Sequence, residues 1–141
     1  MDALAVLVRL ARQALDEERH ALSATDRAIA VLCGQLAELR AAAERERRAA
    51  CGLADGSARL VAYLRRLHGR IHRLETELRR LEHQRETVAA RLAERHVELK
   101  RLELLVGRRA EQARIERMRH EQKATDELVA ARQGRRALPT R

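Results

Sequence analysis

The feature that most constrains this chain is a pair of apolar seams, each advancing by alternating steps of three and four residues. One short glycine-containing break separates them. The first seam reads Val8, Ala11, Leu15, Glu18, Leu22, Thr25, Ile29, Leu32, Leu36, Leu39, Ala43, Glu46 and Ala50, and ten of these thirteen positions are apolar. The second reads Leu60, Leu64, Leu67, Ile71, Leu74, Leu78, Leu81, Arg85, Val88, Leu92, Arg95, Leu99, Leu102 and Val106, with twelve of fourteen apolar. Such spacing returns each residue to one face of an α-helix and defines a coiled-coil interface.

The break, Cys51-Gly52-Leu53-Ala54-Asp55-Gly56-Ser57, reads as a tight helix–helix turn. Gly52 suits a left-handed C-terminal cap, Asp55-Gly56 is a turn dipeptide, and Ser57 suits the next N-cap. Asp2 is placed to cap the first helix. The expected layout is a single all-α domain: helix one over residues 2–51, a turn over 52–57, helix two over 58–134, and a flexible tail over 135–141. Each helix alone would expose a continuous apolar stripe, and two stripes of nearly equal length joined by a short turn bury each other most simply as an antiparallel coiled-coil hairpin. At about 1.5 Å per residue it would be roughly 65–75 Å long. This pairing predicts a monomer, although a parallel dimer would bury the same stripes.

Composition excludes a compact alternative. One Tyr, no Phe and no Trp leave few side chains able to fill a globular core. Charged residues make up 36% of the chain, and breakers are few, with six Gly and one Pro. Chains rich in Ala, Glu, Leu and Arg with this periodicity form long helices or coiled coils. Cys33 and Cys51 on one helix would lie roughly 27 Å apart, beyond the ~7 Å Cα limit for a disulfide, and reduced thiols fit a cytoplasmic setting. The apolar run Ala3 to Val8 is too short for a signal peptide or a membrane span.

Beyond Val106 the register continues through Arg109, Ala113, Glu116 and His120, which are mostly polar, yet helix-forming residues persist to Gly134, with Pro139 beyond. The second helix should therefore overrun the first by nearly 30 residues, about 40 Å. Residues 1–50 carry eight basic and eight acidic side chains, 51–106 carry twelve and eight, and 107–141 carry ten and five. The net charge of +9 thus accumulates in the second half. An unpaired polar, basic helix is marginal in water, because most helical stability comes from packing. Such an overhang implies a partner.

Within that overhang, the segment Glu116 to Arg132 resembles the C-terminal pattern of the FliJ family: a Gln-Lys pair at Gln122 and Lys123, Asp126-Glu127 three residues on, then Arg132. Ala3-Leu4 with Leu7, Leu10 and Ala11 resembles the family's opening helix, and Arg59 to Tyr63 its aromatic-bearing start of helix two. The chain departs from the family in having few aromatics. The resemblance implies an antiparallel coiled coil similar to the central stalk of rotary ATPases, with its joined termini inserted into the hexameric flagellar export ATPase and its distal hairpin touching the export gate. It also implies a link to export chaperones and a place beside the inner membrane reached only through partners. By that resemblance Gln122, Lys123, Asp126, Glu127 and Arg132 would meet the ATPase ring, where a basic helix and acidic pore loops would match electrostatically. Tyr63 and Leu64 would meet the gate.

Each of these positions has a plainer reading. Glu121 to Arg132 reads equally as a solvated helix end carrying a Lys123–Glu127 pair at i,i+4. Tyr63 either covers Leu64 and Leu67 or acts as a binding hot spot. His68 and His72, four residues apart with no third ligand nearby, read as solvated rather than metal-binding. Arg85 and Arg95 suit long side chains snorkelling at the hairpin surface. Antiparallel alignment, pairing positions that sum to roughly 110, brings Glu18 toward Arg95. No phosphate loop, activated nucleophile or pocket-forming core points to an enzyme, a cofactor or a metal. Other functions fit the same layout: the equivalent stalk of an injectisome, a self-associating scaffold, or a basic coiled coil binding nucleic acid. The last would lack an aromatic platform and a clean basic region, so no specific nucleic acid is expected.

Overall fold

The computed structural model describes residues 2–51 and 57–137. They form two helices, α1 (Ala3–Ala50) and α2 (Ser57–Ala137), with no strand among the described residues. The proposed turn elements Gly52, Asp55 and Gly56, and the side chain of Ser57, lie outside the described residues. Asp2 caps α1: its Oδ1 accepts a hydrogen bond from Leu4 N at 3.2 Å, and its carbonyl accepts the first helical bond from Val6 N. Basic residues occupy the last turn of both helices, Arg47 and Arg48 in α1 and Arg135 and Arg136 in α2, where they complement the helix dipole. Helix α2 runs through Gly134 to Ala137, three residues past the expected end. A single glycine costs a helix only about 1 kcal/mol, and no proline intervenes before Pro139.

Two compact units make up the structure: residues 12–96, and residues 1–11 with 97–141. In the first, the helices run antiparallel. Cross-helix partners ascend along α2 as they descend along α1: Arg47 with His68, Arg40 with Glu75, Asp26 with Arg85, and Glu18 with Arg91. Its central core cluster is Leu36, Ala43, Leu67 and Ile71, flanked by Leu39, Leu64, Leu74 and Leu78. Leu15, Leu81 and Val88 are buried elsewhere in this unit, Val88 being only 1% exposed. Thr25 is the buried polar seam residue, and its hydroxyl donates to the Ala21 carbonyl at 2.9 Å, so no polar group is stranded. Glu18, expected near Arg95, has Arg91 Nε 3.7 Å from its Oε2.

In the second unit, Leu4, Val8 and Ala11 of α1 and Leu99 of α2 are buried. Leu4 extends the first seam one step toward the N-terminus. Arg109 reaches Asp2 at 3.4 Å, joining the start of α1 to α2 by an ion pair. Val106, the last residue of the second seam, is exposed.

The seams map well onto burial. Every first-seam residue except Glu46 is buried or half-buried, as is every second-seam residue except Arg85, Arg95 and Val106. Arg85 snorkels as expected: its stem follows the seam while Nε bonds Asp26 Oδ1 at 2.6 Å in solvent.

Candidate functional site

From Leu104 to Ala137 every residue of α2 is exposed. The helix nevertheless continues without a break, with no buried residue along it and with the Arg109–Asp2 ion pair as a link to α1. Local i,i+3 pairing supports it, as between Arg114 and Glu111 at 2.8 Å.

The five motif residues lie in this stretch. At about 100° per residue, Gln122, Lys123, Asp126 and Glu127 share one side of the helix within an arc of roughly 140°, while Arg132 falls on the other flank. Among the described residues, none of the five makes a side-chain hydrogen bond or an ion pair. The expected Lys123–Glu127 pair is therefore not formed, and both charges remain available. A shallow surface recess beside the motif is lined by Glu116, Arg119, His120 and Lys123.

Extending the seam register found mostly polar positions here, and so missed a cluster of exposed apolar residues on another face. Leu104, Ile115, Met118 and Val129 fall within an arc of about 60°. Gln122 and Glu111 also fall inside this arc, the rest of the motif side borders it along one edge, and Arg132 lies along the other. Counting afresh from Ile115 in steps of three, four and seven reaches Met118, Gln122 and Val129, so three of these four positions are apolar.

The remaining candidates have simple surroundings. Tyr63 is 37% exposed, whereas Leu64 packs against the core cluster. Leu64 is thus partly committed to the hairpin, and Tyr63 is the member of the pair more open to a partner. His68 Nε2 shares a 3.0 Å hydrogen bond with Arg47 Nη2 across the helices. Among the described residues no group of three or more His, Cys, Asp or Glu could hold a metal ion. Cys33 and Cys51 are free and exposed. Among the described residues no helix is long and apolar enough to cross a membrane.

Paired helices with a small leucine-rich core define a coiled-coil protein. The chain belongs to the FliJ family: the family model described as Flagellar FliJ protein matches residues 1–138. It is thus a component of flagellar protein export, in a family that is not catalytic. No curated protein and no solved structure matches the chain.

Proposed function

We propose that this chain is the non-enzymatic stalk of the flagellar protein export apparatus, which inserts its α2 extension into the hexameric export ATPase and links that ring to the export gate. The observation that carries this reading is the exposed helix from Leu104 to Ala137, with Gln122, Lys123, Asp126, Glu127 and Arg132 unpaired upon it. A ring lumen would cover the apolar stripe of Ile115, Met118 and Val129, while polar loops would meet the charges on either side. Lys123 and Arg132 would steer the encounter with acidic loops, an effect mainly on association rate and orientation. Tyr63, beside the half-buried Leu64, would contact the gate. Export chaperones would be further partners, and the chain would work on the cytoplasmic side of the inner membrane at the flagellar base. The flagellar family match favours this system over an injectisome.

The test is steady-state ATP hydrolysis by the flagellar export ATPase, titrated with the full chain and with a chain ending at Val106. Stimulation by the full chain alone supports the stalk role of the extension. If neither protein has an effect although both give helical circular dichroism spectra, the reading fails.

A further inference from the structure

Between Asp55 and Glu75 the sequence contains no carboxylate, yet it carries Arg59, Arg65, Arg66, Arg70 and Arg73 with His68 and His72. This is the start of α2, and the arginines are not evenly spread around it. At about 100° per residue, Arg59, Arg66, Arg70 and Arg73 fall within an arc of roughly 60°, centred about 110° from the seam that packs on α1. They form a lateral ridge about 21 Å long at 1.5 Å per residue, and all four are exposed.

These arginines differ from many others in the chain. Arg40, Arg48, Arg80, Arg85, Arg91, Arg109 and Arg114 each have a carboxylate within 4 Å. Among the described residues, none of the four ridge arginines has an ion-pair or hydrogen-bond partner, nor does Arg65. On the neighbouring flank α1 offers the small residues Ala42 and Ala49 and one carboxylate, Glu46, which makes no ion pair among the described residues. Among the described residues the ridge is therefore a row of forked cationic donors with no paired carboxylate. Tyr63 lies between it and the seam.

We propose that this arginine ridge docks directly on a membrane surface, binding the phosphates of anionic lipid headgroups. Guanidinium groups bind phosphate oxygens in bidentate fashion and are weakly hydrated, so they leave water more readily than ammonium groups do. Basic clusters on a helix are attracted to anionic leaflets. A tyrosine beside such a cluster suits the headgroup level, where its ring faces the acyl boundary and its hydroxyl stays wet. Duplex DNA fits less well. A major groove about 12 Å wide admits one helix, but here α2 is packed side by side with α1. Single strands call for aromatic stacking platforms, and Tyr63 is the only aromatic residue. Lipid phosphates move laterally to meet fixed arginines, and a flat surface imposes no width limit. The inference rests on the ridge alone and stands or falls apart from the export reading.

The test is co-sedimentation of the full chain with vesicles of phosphatidylcholine alone and of phosphatidylcholine containing phosphatidylglycerol, near 0.1 M salt. The variant R59Q/R66Q/R70Q/R73Q is compared with R108Q/R119Q/R132Q/R136Q, which removes the same charge from the extension. Circular dichroism melts establish that both variants are folded. Each arginine near an anionic surface contributes about fivefold in partitioning, so the ridge variant should lose two orders of magnitude or more. The extension variant should lose tenfold or less. Equal losses in the two variants, no preference for the anionic vesicles, or release from vesicles by polyglutamate or duplex DNA at matched charge would each overturn the proposal.

Discussion

Replacing Leu36 by alanine removes three carbon atoms from the best-packed region of the hairpin. Leu36 is 2% exposed and shares its cluster with Ala43, Leu67 and Ile71, with Leu39, Leu64, Leu74 and Leu78 around it. At about 0.8 kcal/mol per buried methylene, the lost transfer free energy alone is roughly 2.4 kcal/mol. The cavity left behind adds to this, and buried leucines truncated to alanine cost about 2–5 kcal/mol in general. Two helices joined only by a seam can close partly over a gap, so the expected value is near the lower end, about 3 kcal/mol. The assay is urea unfolding followed by helical circular dichroism, with the free energy extrapolated linearly to water. Leu128→Ala is the internal control, because Leu128 is 67% exposed and should change stability by less than about 0.5 kcal/mol. If Leu36→Ala costs no more than Leu128→Ala, the seam from Leu36 to Ile71 does not hold the helices together and the hairpin account is wrong.

Other consequences are smaller. Exchanging the charges of Asp26 and Arg85, whose 2.6 Å contact crosses the helices in solvent, should cost about 0.5 kcal/mol for each single change and recover most of it in D26R/R85D; a double-mutant cycle with no coupling would reject the pair as a register-setting contact. Asp2→Ala removes both the N-cap and the carboxylate facing Arg109, so it should cost about 1 kcal/mol and speed hydrogen exchange in the first turn of α1, with unchanged exchange rates as the contrary result. The Glu77 carboxyl is held below its ordinary value by its hydrogen bond and charge contact with Arg80. A lowered folded-state value stabilises the fold above the ordinary carboxylate range, and that contribution is lost as pH falls through the lowered folded-state value. An NMR titration should place Glu77 below other exposed glutamates and move it up in Arg80→Gln; no movement would break the assigned cause.

How much of this was legible in the sequence follows from which interactions are local. Helix formation depends on residue types and spacing over a few turns, so both helices, the Asp2 cap and nearly every buried seam position could be read from the amino-acid order. The motif residues Gln122, Lys123, Asp126, Glu127 and Arg132 were legible as a pattern for the same reason. The apolar stripe of Ile115, Met118 and Val129 was written there too, but its register differs from that of the seam before it. Carrying the old register forward concealed it.

Pairing was decided elsewhere. Whether an arginine has a counter-charge depends on what the antiparallel partner brings within about 4 Å, and small changes in register move that by a turn. Glu18 was expected beside Arg95 and has Arg91 at 3.7 Å; Val106 continues a perfect spacing and is nevertheless exposed. Likewise, a run without carboxylates between Asp55 and Glu75 is a fact of composition. Helical spacing puts Arg59, Arg66, Arg70 and Arg73 on one side of α2, and only the packing of α2 on α1 leaves them unpaired among the described residues. Periodicity along one helix determines which face is apolar, but the charges that stay open to a partner are those the second helix does not neutralise.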